Sequence, residues 1–402
     1  MHVTAKGVAA VASVAVTLTL IPFTSPPANA IPAWARRYDM DCSSCHFGST
    51  YRLTKVGKDF WLRGHRTKDD AGIQDLGDVQ IAKYTSFTSK FRFYADKDAE
   101  PSTKFDVESL SIYSGGPIAD NFSYFFEIYL HERGKEASST GGQTDTAVRE
   151  KLAEAYLLYN SDPAGDGFWF ARAGQISSRL IHQASTGART SLSRPRIIND
   201  NVGGGNLYTP RDRAYGISAG LVTPDAFIAE FGIVNGGGGN ARPNQPEMNN
   251  FKDLFASFEK EFDDYGSSVG VYGYTGKYPI SGTPAWEDGF LRYGVLASFV
   301  RENFEISGAW MRGENDLQAG GTRNPEGYYL EGAFIANEDF TFYARYDNFL
   351  ADLSSAPRKT GGVIGVSYRL PGLGRMALEG GQTKTQGGAT TENLLFEISW
   401  GF

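Results

Sequence analysis

From Asp78 onward, apolar and polar residues alternate in sixteen short runs, and this pattern limits the fold more than any other feature of the chain. Alternation with a period of two indicates β-strands, because successive side chains of a strand point to opposite faces of the sheet. Each run is near or above the ~9–11 residues that a tilted strand needs to cross the hydrocarbon of a bilayer. The predicted strands are residues 79–95, 104–114, 120–133, 150–161, 167–176, 213–223, 226–235, 251–263, 266–278, 289–301, 303–313, 326–336, 339–350, 360–370, 374–385 and 391–402.

The connections between these runs alternate in length. Every second connection is a short turn, such as "TPDA", "REN" and "ANED", and most of those between are longer, such as "KEASSTGGQTDTAVR" and "GGGGNARPNQPEMNN". Outer-membrane barrels alternate in this way, with turns in the periplasm and loops outside, whereas a water-soluble sandwich or propeller has no reason to sort its connections. The sequence therefore predicts an all-β fold, a 16-stranded transmembrane outer-membrane β-barrel over residues 78–402.

The last run, "NLLFEISWGF", shows the alternation most clearly. A strand between lipid and a lumen needs one apolar face and one polar or small face. If this run were the open edge of a soluble sheet, it would invite aggregation, and pairing it with the first strand removes that edge. The predicted lipid-facing side chains are Leu394, Phe396, Ile398, Trp400 and Phe402.

Charge and the first thirty residues narrow the class of protein further. The formal net charge is −7, so the basic excess of a nucleic-acid-binding protein is missing. Lys6, a following apolar run and the small residues "ANA" at positions 28–30 predict a secretory signal peptide over residues 1–30. No later run is long enough for a membrane helix. The chain is therefore expected to reach the bacterial outer membrane and to contact its lipid through strands.

One long connection, Ser177 to Asp212, has no strand pattern. Connections of this length are usually functional or disordered. Its position resembles that of the third extracellular loop of sixteen-stranded porins, which folds into the pore. It is either a pore constriction or anion-attracting entrance, or a solvated surface loop. Its charged candidates are Arg179, His182, Arg189, Arg194 and Arg196.

The stretch "DMDCSSCHFGS" contains both cysteines of the chain, Cys42 and Cys45, and His46 follows directly. This is the C-x-x-C-H pattern of covalent haem attachment. Two thiols three positions apart add to the two vinyl groups of one haem, and the adjacent histidine binds the iron on the proximal side. The sequence predicts one covalently bound haem c, in a small c-type haem segment over residues 31–77.

Other roles for the two cysteines fit less well. A redox C-x-x-C pair is typical of a thioredoxin-like βαβ unit, which the pattern of runs does not contain. A zinc site needs four ligands, and no second Cys or His pair lies nearby. A segment of about 47 residues is marginal as a free-standing domain, so we expect the haem and docking into the barrel lumen to stabilise it. Leu53, Val56, Phe60 and Trp61 are predicted to form a helical apolar face against the porphyrin.

The distal side of the iron is less constrained by the sequence. His65 lies 19 positions after His46, which is enough chain to wrap around the haem, and it is the candidate distal ligand. Otherwise it is a hydrated linker residue among basic neighbours. His131 and His182 could reach the iron only if the haem sits inside the barrel. A five-coordinate iron with an open position is the remaining alternative.

The segment "IPAWARRYDMDCSSCHFGSTYRLTKVGKDFWLRGHR", followed directly by sixteen predicted strands, resembles the fused monohaem cytochrome–porins of the bacterial outer membrane, whose studied members oxidise ferrous iron. The resemblance covers the mature chain as architecture and this segment as motif. It implies haem attachment at Cys42 and Cys45 and proximal ligation by His46. His65 stands where the resemblance implies an aromatic residue. The other matching positions are Pro32, Ala35, Arg36, Leu53, Gly57, Phe60 and Gly64.

The resemblance implies an electron conduit in which one haem takes electrons from extracellular Fe(II) and passes them to a periplasmic electron carrier. No catalytic acid, base or nucleophile is assigned, because the cofactor carries the chemistry. The alternatives are a diffusion porin whose haem segment is a plug or redox gate, and electron export to an external acceptor. Acidic loop residues would attract Fe(II), although no iron site is assigned; they are Asp96, Asp98, Glu100, Glu314 and Asp316.

Overall fold

The computed structural model describes residues 33–70, 80–132, 152–183, 189–236, 249–280, 284–352, 356–370 and 374–402. The predicted signal peptide and most of the loops "KEASSTGGQTDTAVR" and "GGGGNARPNQPEMNN" lie outside these residues. The sixteen barrel strands are β1 Thr85–Asp96, β2 Thr103–Pro117, β3 Phe122–Glu132, β4 Leu152–Asn160, β5 Phe168–Ser177, β6 Arg213–Val222, β7 Phe227–Asn235, β8 Lys252–Glu261, β9 Ser268–Ile280, β10 Trp286–Val300, β11 Phe304–Asp316, β12 Glu326–Ile335, β13 Phe340–Leu350, β14 Lys359–Leu370, β15 Gly374–Thr385 and β16 Thr390–Gly401.

Every strand pairs antiparallel with its neighbours, and β1 pairs with β16 from Thr88↔Gly401 to Asp96↔Asn393, which closes the barrel. The predicted sixteen-stranded antiparallel barrel is therefore confirmed. The first strand begins six residues later than predicted, because Ile81–Lys83 forms a 3-10 turn before it. A further two-residue strand, Thr322–Arg323, pairs only with the end of β11.

The barrel wall carries its apolar side chains on the outer face and its polar side chains on the inner face, the opposite of a water-soluble protein. On β10, Val295 is 46% exposed and its apolar neighbours on the same face are also exposed, whereas Arg292 on the other face is 5% exposed. A closed barrel with an apolar outer surface satisfies all its backbone hydrogen bonds in lipid. The chain is thus an outer-membrane barrel, as the sequence predicted. Among the described residues, no helix is long and apolar enough to cross a bilayer.

The connections alternate as expected. The turns 118–121, 223–226, 301–303 and 336–339 lie at one end of the barrel, called here the short-turn end, which in barrels of this type faces the periplasm. The opposite end is the long-loop end. Asp96, Glu314 and Asp316 belong to strand ends and not to loops, which corrects their predicted placement.

Residues 33–70 form three short helices inside the short-turn end of the barrel. The helices are α1 Ala33–Tyr38, α2 Cys42–Cys45 and α3 Lys55–Leu62. In the same segment, the side chain of Arg52 reaches Glu305 on β11, and Gly64 lies against Ser123 on β3, so the segment touches inward-facing wall residues on opposite sides of the lumen. We call residues 33–70 the plug, because they lie across the mouth of the barrel.

The connection between β5 and β6 is folded into the lumen, where it forms α4 Leu180–Gln183 and α5 Arg196–Asn199. Arg179 and Ile198 are fully buried. Arg179 pairs with Glu259 on β8 at 2.5 Å, and Ser191 donates to Glu331 on β12 at 2.6 Å. The solvated-surface interpretation of this connection is wrong, because many of its described residues are buried and bond to the inner wall. We call it the inner loop.

Candidate functional site

The two cysteines lie on one helical turn. Asp41 caps α2 by accepting the backbone N–H of Ser43 at 3.0 Å, and the N–H of His46 donates to the carbonyl of Cys42 at 2.9 Å. Residues three apart on a helical turn lie on the same face, so both thiols point the same way. Both are free, with Cys42 exposed and Cys45 partly buried. This arrangement suits two thioether bonds to a single flat ligand.

Helix α3 holds this turn in place through two residues. The backbone N–H of Thr54 donates to the carbonyl of Cys45 at 3.0 Å, and its hydroxyl donates to the carbonyl of Ser44 at 2.8 Å. A Cβ atom at Gly57 would clash with the carbonyl oxygen of Cys45. Glycine at position 57 therefore permits the close approach of α3 to the cysteine turn.

The ring of His46 is oriented by the backbone. Its Nδ1 lies 3.2 Å from the carbonyl oxygen of Tyr51, which fixes Nδ1 as the donor and leaves Nε2 as the nitrogen for a metal. Its partial burial lowers the pKa of the ring, which favours the neutral form that binds metals. The donor set of Cys42, Cys45 and His46 thus fits the proximal side of a haem c.

His65 is not a hydrated linker residue, because it is 6% exposed inside the barrel. Its ring is stacked between Trp34 and Phe125 of β3, with centroid distances of 4.8 and 4.6 Å. Its Nδ1 is buried and has no hydrogen-bond partner within the part of the chain that the structure describes. Burial lowers the pKa of His65 to about 3, so the ring is neutral. The structure therefore leaves a ring edge of His65 unsatisfied, while both ring faces are covered.

The apolar residues that are predicted to face the porphyrin have different surroundings in the structure. Trp61 packs against barrel residues, among them Phe168 and Ile228, and Val56 is half exposed. Phe60 contacts the rings of Trp34 and His65 and so remains beside the candidate distal side. The predicted single helical face over Leu53, Val56, Phe60 and Trp61 is wrong, because Leu53 precedes α3 and Trp61 anchors the plug to the wall.

His131 and His182 are the other histidines that the sequence offers as candidates for the distal side of the iron. His131 lies near the end of β3 at the long-loop end, away from the plug. The side chain of His182, in α4, lies outside the described residues. No group of three or more His, Cys, Asp or Glu side chains that could hold a metal ion is found within the described ranges.

Sequence reasoning missed the residues that anchor the plug to the inner wall. Arg52 pairs with Glu305 at 2.9 Å, and Lys58 pairs with Glu261 at 3.0 Å. The sequence shows the acidic partners, Glu261 and Glu305, only as acidic residues at inward positions of β8 and β11. Their partners lie more than 200 positions away along the chain, so the pairing itself could not be read from the sequence.

The comparisons with known proteins support the barrel. No protein-family model matches the chain, and no curated protein matches it in sequence. Among solved structures, an anion-selective porin from Comamonas acidovorans has a TM-score of 0.60 at 12% identity, covering 79% of this chain and 98% of that chain. The outer membrane channel DcaP of Acinetobacter baumannii has a TM-score of 0.52 at 12% identity, covering 82% and 100%. The trimer form of OmpT of Vibrio cholerae has a TM-score of 0.55 at 10% identity, covering 79% and 98%. At these identities the likeness concerns the fold, that of sixteen-stranded outer-membrane porins.

Proposed function

We propose that the chain is an outer-membrane electron conduit in which a single haem c, attached to the plug, takes electrons from extracellular Fe(II) and passes them to a periplasmic carrier. The observation that carries this proposal is the geometry of the cysteine turn. Cys42 and Cys45 are free and share one helical face, and His46 is oriented through Nδ1. A purely structural plug needs none of these three features.

The haem, when bound, supplies one-electron chemistry at its iron. The chain itself sets its position and its surroundings. Cys42 and Cys45 tether it, His46 presents Nε2, and Trp34 and Phe125 hold His65 in one orientation. Cys42 is exposed at the short-turn end, where a periplasmic carrier can approach. The donor in turn has to approach from the long-loop end.

Rapid mixing of ferrous iron with the oxidised haem-loaded protein in detergent tests this proposal. We expect Fe(II) to reduce the haem, and His46→Ala to abolish the reduction while heat-modifiable migration shows that the barrel is folded. Rates that fall with rising salt indicate attraction of Fe(II) to a charged entrance. A haem that dithionite reduces but Fe(II) does not, at any salt or pH, rejects iron oxidation. If an external acceptor oxidises the reduced haem instead, electrons flow outward, from the periplasmic side to the acceptor.

A diffusion porin with a haem-bearing plug is the second candidate, favoured by the inner loop and the plug, which both occupy the lumen of a porin-like barrel. It predicts solute flux in liposomes that changes when the haem is reduced. The conduit predicts flux that does not depend on the redox state. His46→Ala separates the two, because it removes electron transfer without removing a barrel residue.

A further inference from the structure

Three cations surround the ring of Tyr51, a residue of the plug. The guanidinium carbon of Arg375 on β15 lies 3.6 Å from the ring centroid, Nζ of Lys90 on β1 lies 4.6 Å away, and the guanidinium carbon of Arg189 in the inner loop lies 5.7 Å away. The barrel wall and the inner loop therefore supply the cations of one cluster, which surrounds a ring of the plug.

The cluster has too few carboxylates. Glu397 accepts from Tyr51 at 3.2 Å, from Arg375 at 3.3 Å and from Arg92 at 2.7 Å. Among the described residues, Lys90 and Arg189 have no carboxylate within ion-pair distance. The Nε of Arg375 is buried without a hydrogen-bond partner in the same part of the chain. The next carboxylate, Glu379, accepts backbone N–H groups of the inner loop at 2.7 and 3.0 Å.

Buried cations without a counter-charge are costly. Arg189 is 4% exposed, and burial together with the charge of Arg92 lowers the pKa of Arg189. An anion in this cluster would remove the penalty.

The cluster is next to His46, because the carbonyl of Tyr51 contacts Nδ1 of His46 and the ring of Tyr51 contacts the cations. We propose that Lys90, Arg189 and Arg375 form a binding site for carboxylates. Resting on the proposed function, we assign it to the two propionates of the haem. A free dicarboxylate that enters from the long-loop end is the other source of the same chemistry. Arginine forks bind carboxylates through two parallel hydrogen bonds, which suits either source.

The test compares haem-loaded protein with the haem-free Cys42→Ser/Cys45→Ser protein, both full-length and in detergent. Binding of radiolabelled succinate is measured by equilibrium dialysis. We expect the haem-free protein to bind succinate and the loaded protein not to bind it. Lys90→Gln and Arg189→Gln should each weaken binding to the haem-free protein at least tenfold. Lys384→Gln, the same charge change at an exposed residue, should leave it unchanged.

The haem potential gives an independent readout. Oxidised haem carries one more positive charge than reduced haem, so removing a neighbouring cation favours the oxidised form and lowers the midpoint potential. Lys90→Gln and Arg189→Gln should therefore lower the potential, and Lys384→Gln should not. Potentials that stay unchanged in both luminal variants would overturn the assignment to propionates.

The remaining outcomes separate the alternatives. Equal succinate binding to loaded and haem-free protein means that a free dicarboxylate is the ligand, and the propionate assignment falls. No binding to haem-free protein, or binding that ignores both luminal variants, overturns the carboxylate site itself. If the wild-type protein attaches no haem, the proposed function fails, whereas the succinate experiment on that protein still decides whether the site exists.

Discussion

Arg52 of the plug and Glu305 of β11 form an ion pair of 2.9 Å in which each side chain is 3% exposed. The pair joins the plug to the wall through a contact that water does not reach. The pair of Lys68 and Asp166 joins the other side of the plug to the turn between β4 and β5, and both of its side chains are exposed. The two ion pairs are therefore expected to contribute differently to the free energy of plug docking.

Arg52→Met should destabilise the docked plug by about 3–5 kcal/mol, because it leaves the buried carboxylate of Glu305 without a partner. Protease digestion of the plug in folded protein measures this effect, with heat-modifiable migration as the check on the barrel. Lys68→Gln should change docking by less than about 1 kcal/mol. Equal effects of the two changes would contradict the role of burial. Arg52→Met combined with Glu305→Leu should recover much of the loss.

Protein produced with a haem-maturation system should gain the mass of one haem and stain for peroxidase activity in a denaturing gel. Cys42→Ser/Cys45→Ser should lose both signals, since thioether bonds need the two thiols. Ser43→Ala/Ser44→Ala, which changes the residues between them, is the matched control and should retain the haem. Two titratable thiols in the purified wild-type protein would end the haem interpretation.

We expect His65→Phe to change the visible spectrum of the loaded protein, because Nδ1 of His65 is buried and unsatisfied and phenylalanine cannot bind iron. Phenylalanine keeps a ring between Trp34 and Phe125, so the stack survives. Trp34→Phe, which alters the stack but leaves the imidazole, is the control. An unchanged spectrum in His65→Phe would leave the distal position to another ligand or to none.

In haem-free protein, the plug should dock more weakly as the pH falls. The pKa of His65 is about 3 when it is buried, against ~6.5 in an unfolded chain. Between these values the unfolded chain binds a proton that the docked ring does not, so stability falls with decreasing pH, by up to about 1.4 kcal/mol per pH unit.

Urea-induced release of the plug at pH 7 and pH 4 measures this loss. His65→Phe should show a smaller difference between the two pH values, since phenylalanine binds no proton. Both proteins share the titration of the acidic residues, which therefore cancels. Identical pH dependence in wild-type and His65→Phe protein would show that docking of the plug does not shield the imidazole of His65 from protonation.

Deleting Phe402 should impair barrel assembly more than Phe402→Ala. Its N–H donates to the carbonyl of Phe87 at 3.0 Å, and its carbonyl accepts from the N–H of Phe87 at 2.8 Å, so deletion opens the seam between β1 and β16. Alanine removes only the stacking of the two rings, whose centroids are 5.5 Å apart. The yield of heat-modifiable protein measures assembly, and equal yields would contradict the seam argument.

The barrel was predictable because a lipid-facing strand leaves a local signal. Alternation on β10 and the parity of the turns follow from residues adjacent in the chain, so all sixteen strands appeared at nearly the observed positions. The first strand was extended too far because Val79, Gln80 and Ile81 continue the alternation in the sequence, while the backbone of Ile81–Lys83 forms a 3-10 turn. The cysteine turn was also predictable, since its spacing is local.

The surroundings of the site were not predictable, because they depend on distant partners. Tyr51 gave no signal by itself, and its importance comes from Lys90, Arg189 and Arg375 around its ring. The basic neighbours of His65 in the sequence suggest a hydrated linker residue, whereas in the structure Trp34 and Phe125 exclude water from its ring. For both Tyr51 and His65, tertiary packing determines the surroundings of the side chain.

The plug is exported first and can complete its contacts only last. Tyr51 bonds to Glu397, which lies 346 positions further along the chain on the strand that closes the barrel. The docking of the plug therefore cannot be complete until the last strand has paired and closed the barrel. If the proposed haem c is attached, the interval before closure is when a maturation enzyme would reach Cys42 and Cys45, and a barrel that closed too early would compete with it. Chaperones that delay barrel closure should thus raise the fraction of chains that carry cofactor.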